Sequence, residues 1–552
     1  MEHIKIESRE KSWPRFHAFM TAALLAFFML SPAAPEHWSA LYSVYGRCAI
    51  IAMLALYFWK CGLRGAVEVK LVIWYAIWLF ITRLLNTDYY LENEFDLVLK
   101  TFLCAAVLST GLVLDATQRR RFFDIVIAIV GGFYFIVAVL AIAACFLGIY
   151  FYIPPENIPF GIDTYYLYAN FYFIAPFGNN RTVTAVWFYI AGCLMVYEFL
   201  NCRKKLWRIP IILAWLVFYI AVALAFCRSI KLAMCINAAM LVILGGIKLI
   251  KLKSNALKAI IIAVLAVVSM PLVYKSFDLT VSATQAAYDW LDPDIERISD
   301  PYVGQGEVQE FGDTRDLKES VSNMSNRGNI FASIIPTIKE DPSLLLIGKY
   351  SHQIMNIPHK YQNYPYFHMH NYLVQTLMLA GVLGLLLVLA FSVMLVIKMI
   401  RLFFAKLPEV TAAVKTLTLP LAGIFIYGMM ETVIFTNCAD DRVPTDFREL
   451  AFFLIAGIFL GFYYDAFPVI PRKGKWKTLK RRSCGSPPRR SKNIVVTNLY
   501  NFLTCPHIDF SIITEYNVLH WISPEGVIPY RVRGARQTRQ NGAAASGLLC
   551  KE

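Results

Sequence analysis

Four histidines lie within nineteen residues of this chain, although all 552 residues contain only nine histidines. They are His352, His359, His368 and His370, and the next apolar segment begins directly after the last of them, at Asn371. Because a helix N-terminus disfavours an imidazolium, a neutral histidine there can act as a general base near pH 7. We interpret His370 as that candidate base, and His352 and His359 as residues of a solvated loop.

Three arginines each follow turn residues. Arg181 follows Gly178-Asn179-Asn180, Arg228 lies in the short link Phe226-Cys227-Arg228-Ser229, and Arg327 opens a helical pattern. An arginine at a bilayer edge is costly unless it is paired, so it marks an ion pair or an anionic ligand. Snorkelling to the headgroups explains Arg228 equally well when that residue is taken alone. The three arginines together favour phosphate, which a guanidinium binds bidentately without losing its charge.

Acidic residues accompany these cations. Glu431 and the pair Asp440-Asp441 lie at the outer mouth of the eleventh apolar segment. His368-Met369-His370 could therefore form half of a metal site that Asp440 or Asp441 completes. Since no third ligand stands at a recognisable spacing, we expect no metal at this site.

The composition places these residues in a membrane protein. The chain is 58% hydrophobic and only 16% charged, whereas soluble domains carry roughly a quarter charged residues. Its apolar blocks of about 18 to 25 residues have the length needed to cross a bilayer as helices. Continuous blocks, unlike alternating ones, also exclude an outer-membrane barrel. The twelve cysteines contain no CxxC pair and are interpreted as packing residues.

The apolar blocks predict an all-α polytopic integral membrane protein with about twelve transmembrane helices. We place the spans at residues 16–33, 40–59, 69–86, 97–115, 122–148, 182–200, 209–226, 229–250, 257–275, 370–400, 411–432 and 449–469. Basic loops, such as Arg119-Arg120-Arg121 and Arg203-Lys204-Lys205, alternate with acidic or nearly uncharged ones. By the positive-inside rule, both termini are then cytoplasmic and the candidate site is extracytoplasmic. The first block is alternatively a signal peptide; we favour an uncleaved span.

Four regions follow from this assignment: a membrane bundle of about nine spans over 1–275, a large extracytoplasmic loop over 276–369, a bundle of about three spans over 370–470, and a tail over 471–552. In the loop, a capping pair and an apolar helical spacing predict a helix that ends at Glu340-Asp341-Pro342, as part of a helical cap. The capping pair is Ser325-Asn326, and the spaced apolar residues are Ile330, Phe331, Ile334, Ile335 and Ile338. The tail has fifteen Lys and Arg against four Asp and Glu, so most of the net charge of +15 lies there. This location favours anionic headgroups, and we expect no nucleic acid.

The motifs resemble those of the O-antigen ligase and O-antigen polymerase superfamily. The similar elements, in chain order, are Asn179-Asn180-Arg181, Cys227-Arg228-Ser229, Arg327-Gly328-Asn329-Ile330-Phe331, Asp341-Pro342, Ile347-Gly348-Lys349-Tyr350, His370-Asn371-Tyr372-Leu373 and Gly381-Val382-Leu383-Gly384-Leu385. The resemblance covers residues 175–400 in detail. It departs from the family pattern at Cys227, which stands where the family has Ser, and at His368, which leaves two histidines for the catalytic position. We assign that position to His370 because Asn371 follows it.

The resemblance implies a GT-C-like glycosyltransferase of the bacterial inner membrane that needs no metal or other cofactor. Its donor would be a glycan on undecaprenyl diphosphate, and its acceptor a hydroxyl of a glycolipid (ligase) or of a lipid-linked repeat unit (polymerase). On this interpretation His370, Arg327 and Arg228 are catalytic, and Arg181, His368 and Glu431 bind substrate. The polyprenyl tail would lie between spans, in contact with membrane lipid, and the transfer would invert the anomeric centre.

Two other classes of function remain open from the sequence. A transporter or flippase of lipid-linked sugars would carry charged or broken positions at the midplane of two corresponding halves, and few such charges and no repeat are present. A sensor would bind a ligand at the outer loop without turnover. Replacing His370 separates these classes, because only the transferase needs a base.

Overall fold

A computed structural model describes residues 2–30, 46–61, 65–86, 91–146, 168–170, 173–175, 181–225, 227–291, 327–349, 369–407, 410–431, 434–435 and 447–468. All of them belong to one compact unit, Met1–Ile470. Most of the predicted 276–369 loop and the 471–552 tail lie outside the described residues. The four-region division of the chain therefore stays a prediction.

The described residues are almost entirely helical. The helices are α1 (Glu2–Leu30), α2 (Arg47–Cys61), α3 (Val67–Leu85), α4 (Leu91–Val113), α5 (Ala116–Phe146), α6 (Arg181–Asn201), α7 (Arg208–Leu224), α8 (Arg228–Leu249), α9 (Asn255–Leu291), α10 (Arg327–Glu340), α11 (Leu344–Ile347), α12 (Tyr372–Phe403), α13 (Ala412–Thr416), α14 (Thr418–Gly428) and α15 (Phe447–Ala466). Two short strands, β1 (Tyr168–Asn170) and β2 (Phe173–Ala175), pair antiparallel with Tyr168 opposite Ala175. The all-α prediction holds for the described residues apart from this ribbon.

A helix lies at each of the twelve predicted span positions, with α13 and α14 sharing one. Among the described residues, seven helices are long and apolar enough to cross a membrane: Ala116–Ala143, Thr182–Asn201, Lys205–Leu224, Arg228–Leu249, Asn255–Thr284, Tyr372–Phe403 and Phe447–Ala466. The apolar stretches Pro14–Leu30, Leu97–Val113 and Ala412–Gly428 are shorter, at 10–17 residues. The helices α2 and α3 are not among the seven. The chain is thus a helical membrane protein, and the count of twelve spans stays a prediction.

Small residues bring α4 and α15 into backbone contact. A methyl group placed on Gly111 would lie 2.1 Å from the carbonyl of Gly457, and one on Gly461 would lie 2.3 Å from the Gly111 oxygen. Gly457 and Gly461 are four residues apart and therefore share one helix face. Small residues at this spacing allow the close helix packing common in membranes. Most of α15 is buried inside the bundle.

Buried charges fix one end of the bundle. The Lys398 ammonium on α12 contacts Glu68 on α3 and donates to the Tyr464 hydroxyl on α15 at 2.6 Å. At the same end, Arg119 on α5 pairs with Asp465 at 2.6 Å and donates to the carbonyl oxygens of Gly111 and Leu114. Removing one partner of such a pair would leave a buried charge uncompensated. His370 lies before the start of α12, at the opposite end of that helix from Lys398, and we call that end of the bundle the His370 end.

Candidate functional site

His370 occupies the position before the first turn of α12, as the sequence predicted. Asn371 is the N-cap of the helix: its Oδ1 accepts from the backbone N–H groups of Leu373 and Val374 at 3.0 and 3.1 Å. Its Nδ2 donates to the carbonyl of Met429 at 2.9 Å, beyond the end of α14. One asparagine thus caps α12 and fastens that cap to the neighbouring helix.

The His370 imidazole is held by a carboxylate. Its Nδ1 lies 2.8 Å from Oε2 of Glu431, and the two side chains are 25% and 10% exposed. A carboxylate accepts only, so in this pair the neutral imidazole carries its proton on Nδ1 and leaves Nε2 as an acceptor. A base oriented by a carboxylate in this way is the arrangement that general-base catalysis uses. The sequence analysis assigned Glu431 to substrate, and the structure gives it a partner within the protein.

The backbone at His370 is strained. Its φ of +49° lies in the left-handed region, which is uncommon for residues other than glycine and costs of order 1 kcal/mol or more. The backbone on either side is held: the Met369 N–H donates to Oε1 of Gln375 at 2.9 Å, and Asn371 is anchored as described above. Such strain persists where the surroundings over-determine it, and it is concentrated at functional sites.

Several helix ends meet around the hydroxyl of Tyr427, near the end of α14. Arg448, in the first turn of α15, donates to this hydroxyl at 3.4 Å. Thr182 of α6, Cys227 at the start of α8, and Glu431 lie around the same group. The starts of α6, α8, α12 and α15 therefore converge with the end of α14, and helix N-termini favour anionic groups.

The predicted arginines begin three helices. Arg228 is the first residue of α8, with an exposed side chain, and Cys227 is the N-cap of that helix without a side-chain capping bond. Arg181 begins α6 and Arg327 begins α10, but their side chains are outside the described part of the chain. The structure thus places Arg181 and Arg228 on helices that begin around Tyr427, and the assignment of all three to phosphate stays a prediction.

Other predicted residues fall outside the described ranges. They are His368, His352 and His359, together with Asp440 and Asp441. The alternative metal site built on His368 and these aspartates is consequently neither supported nor opposed by the structure. The same holds for the choice between His368 and His370, although the pairing with Glu431 is described only for His370.

Arg448 is a basic residue of this region that the sequence analysis missed. It lies in the sequence Asp446-Phe447-Arg448-Glu449, which resembles an ordinary charged end of a span. Its proximity to Tyr427 depends on the packing of α14 against α15, and no local pattern reports that. A basic residue in the first turn of a helix interacts unfavourably with the helix dipole. This unfavourable position was the sequence signal that could have marked Arg448 as a candidate functional residue.

The loop helix α10 begins at Arg327 and ends at Glu340, as predicted, and it packs against α12. Ile334, on α10, is buried in a small apolar cluster with Leu344, Met369, Met378 and Leu379. Ile335, by contrast, is 61% exposed. It follows Ile334 directly and so points about 100° away around the helix.

The turn after α10 is polar and structured. Asp341 accepts from the backbone and hydroxyl of Ser343, and its carboxylate lies 3.1 Å from Nζ of Lys349. The Ser343 hydrogen bond, followed by the bond and charge of Lys349, holds the pKa of Asp341 below its ordinary value. These contacts join α10 firmly to the short helix α11.

A cavity of about 200 Å³ lies between α6, α7, α8 and α9. Its walls are largely aromatic and apolar, and include Phe218, Tyr219 and Val273. Asn237 is 5% exposed and lines the cavity, with its Nδ2 donating to the Tyr189 hydroxyl at 2.6 Å. Nine residues separate Asn237 from Arg228, so the cavity lies about 13 Å along α8 from the His370 end.

Residues 211–389 match the family model described as O-Antigen ligase. The matched segment runs from α7 to the first half of α12, so it contains Arg228, Arg327 and His370. The match confirms, for residues 211–389, the resemblance to the O-antigen ligase and polymerase superfamily. Neither a search of curated proteins nor one of solved structures gave a match to the chain.

Proposed function

We propose that this chain, whose residues 211–389 match the O-antigen ligase family model, is a membrane glycosyltransferase that uses a lipid-linked glycan donor. The observation that carries the proposal is the 2.8 Å contact between His370 Nδ1 and Glu431 Oε2 at the start of α12. It supplies an oriented base, and the family match supplies the type of reaction. The His370 end would face the outside of the inner membrane, as the loop charges predict.

The donor would be a glycan on undecaprenyl diphosphate. In the transfer, Nε2 of His370 accepts the proton of an acceptor hydroxyl while the hydroxyl oxygen bonds to the anomeric carbon. The bond from that carbon to the phosphate oxygen breaks, and undecaprenyl diphosphate leaves with the electron pair. Attack opposite the leaving group inverts the anomeric centre. The released proton stays on an imidazolium that the Glu431 carboxylate stabilises.

Fixed positive charge would stabilise the leaving group as negative charge develops on the diphosphate. We assign Arg228 and Arg327 to the diphosphate, with Arg181 as a further contact, because each of these arginines begins a helix. The starts of α6 and α8 add backbone N–H groups of the polarity that phosphate needs. His368 is assigned to substrate. The polyprenyl chain would lie between spans, and the apolar cavity between α6, α7, α8 and α9 is lined in part by α8, the helix that Arg228 begins.

The acceptor would be a hydroxyl of a glycolipid or of a second lipid-linked repeat unit, and the choice decides between ligase and polymerase. The test uses purified protein in liposomes, undecaprenyl-diphosphate-linked oligosaccharide and each acceptor in turn. Release of undecaprenyl diphosphate is measured for the unmodified protein and for His370→Ala. We expect release that needs both acceptor and His370. Movement of the lipid-linked sugar between leaflets without any release would identify a flippase and overturn the proposal.

A further inference from the structure

A buried arginine outside the proposed site bridges the two helical segments that carry it. Arg83, near the end of α3, is 2% exposed. Its Nη1 donates to the carbonyl of Lys349 and its Nη2 to the carbonyl of Leu379, both at 2.9 Å. Lys349 follows α11, and Leu379 lies within α12, so one guanidinium joins segments that are thirty residues apart in sequence.

The Leu379 carbonyl is available because α12 is broken there. Gly381 has φ +64° and ψ −169° inside an otherwise continuous helix. The carbonyls before it find partners outside the helix: Met378 O accepts from the Lys349 N–H at 2.7 Å, and Ala380 O from Nε1 of Trp78 at 2.7 Å. A broken helix in a membrane bundle must satisfy such groups from neighbouring elements.

Two glycines let α11 reach into this break. A methyl group on Gly348, where φ is +68°, would lie 2.3 Å from the Leu379 carbonyl. A methyl group on Gly381 would lie 2.4 Å from the Leu346 oxygen. Backbone therefore touches backbone at the junction of α11 with α12, and Arg83 closes that junction from the side of α3. We call this junction the Gly348–Gly381 clamp.

Each of the two segments joined at the Gly348–Gly381 clamp is connected along the chain to one part of the proposed site. The first portion of α12, up to Ala380, begins directly after His370 and Asn371. The turn from Asp341 to Ser343 connects α11 to α10, which begins with Arg327. The relative placement of the base and of one phosphate-binding arginine is consequently set where Arg83 connects α11 to α12.

We propose that Arg83 is a positioning residue that fixes the spacing between Arg327 and His370; this inference rests on the proposed function. Two donors in one rigid plane suit the task, since they hold two carbonyls at a set separation. A lysine at this position would keep the charge, but it has no such planar pair of donors. Burying an arginine in an apolar bundle costs free energy. A single neutral donor would satisfy the Leu379 carbonyl at a lower cost in free energy, so that one carbonyl does not account for an arginine at this position.

The test compares Arg83→Lys with Arg119→Lys. Arg119 is a matched control because it is also buried, at 3% exposed, and donates to the carbonyls of Gly111 and Leu114 at the opposite end of the bundle. We expect Arg83→Lys to lower kcat about tenfold to a hundredfold with little change in acceptor KM, since misplacement by about 1 Å has effects of this size. Arg119→Lys should lower thermal stability to a similar extent and leave kcat of the folded protein unchanged.

A second measurement does not depend on enzymatic activity. Genetically encoded spin labels at Lys339 on α10, which is exposed, and at Leu377 on the first portion of α12, which is half-buried, report the distance between the two segments by pulsed electron paramagnetic resonance. We expect a broader or shifted distance distribution in Arg83→Lys and an unchanged one in Arg119→Lys. Arg83→Gln, which keeps an amide donor, replaces the lysine variant if that variant does not accumulate.

The outcomes separate the two proposals. An unchanged distance distribution, or a kcat that falls no further than in Arg119→Lys, overturns the role of Arg83. A protein that releases no undecaprenyl diphosphate even when unmodified overturns the proposed function, while the distance measurement still decides whether Arg83 holds the clamp.

Discussion

Replacing Glu431 with glutamine tests the proposed base most directly. Glutamine keeps the size of the side chain and one acceptor oxygen for His370 Nδ1, but removes the negative charge. The Glu431 carboxylate oxygen lies 2.8 Å from the His370 ring nitrogen. This distance puts the centres of the two charges about 4 Å apart. An imidazolium–carboxylate pair at that separation is worth about 4 kcal/mol at an effective dielectric constant of about 20. The partial exposure of the ring reduces this to about 2 kcal/mol.

Most of that energy acts in the transition state. Neutral His370 interacts weakly with the carboxylate charge, whereas the imidazolium that forms during transfer interacts strongly. A loss of about 2 kcal/mol confined to the transition state lowers kcat about thirtyfold and leaves KM nearly unchanged. The pairing therefore predicts a kcat effect and no binding effect.

The assay is acceptor-dependent release of undecaprenyl diphosphate in liposomes, measured over a range of acceptor concentrations. Glu340→Gln is the matched control, because Glu340 ends α10 with an exposed side chain, and it should behave as the unmodified protein. A kcat within threefold of normal in Glu431→Gln would refute the stabilisation of an imidazolium. A raised KM with normal kcat would instead place Glu431 on the substrate, as the sequence analysis had it.

Three further predictions concern other parts of the molecule. Arg228→Lys should lower turnover about tenfold or more, because an ammonium cannot replace a bidentate grip on phosphate; near-normal turnover would remove that role. Gly381→Ala should sharply reduce the amount of folded protein in membranes, since the methyl group meets the Leu346 oxygen at 2.4 Å in a left-handed backbone; Gly132→Ala, where a methyl group meets nothing within 4 Å, is the control. The lowered pKa of Asp341 means that its contacts stabilise the turn above the ordinary carboxyl pKa of 3.8 and are lost as the pH falls through and below that value. Hydrogen exchange of α10 and α11 should accelerate there, and Asp341→Asn should abolish the pH dependence.

Local sequence patterns predicted the elements that carry the site. The apolar block after Asn371 gave the start of α12 beside His370, the isoleucine spacing gave α10 from Arg327 to Glu340, and the short link at Cys227 gave the start of α8. These predictions succeed because helix length, capping and turns depend on residues close in sequence. They place each candidate residue at a helix end without saying which ends meet.

Contacts between segments that are distant in the chain could not be predicted from the sequence. Glu431 lies 61 residues from His370, and Arg83 lies 266 residues from Lys349. The pairing of Arg448 with Tyr427 likewise depends on how α14 packs against α15. Such contacts follow from helix packing, which the alternation of apolar and polar residues constrains only loosely. The twelve-span count and the outward orientation depend on where the bilayer lies, and the tail is outside the described residues. These three therefore stay predictions.

The break in α12 explains how His370 can keep a strained backbone. On the far side of the break, Lys398 anchors α12 to Glu68 and Tyr464. At the break, Arg83 and Trp78 hold the carbonyls of Leu379 and Ala380. The portion from Tyr372 to Ala380 is thereby a short helix anchored separately at both ends, by the clamp and by the Asn371 cap. A base on a rigid support of this kind needs no rearrangement when the charge develops, which is the condition for effective electrostatic catalysis.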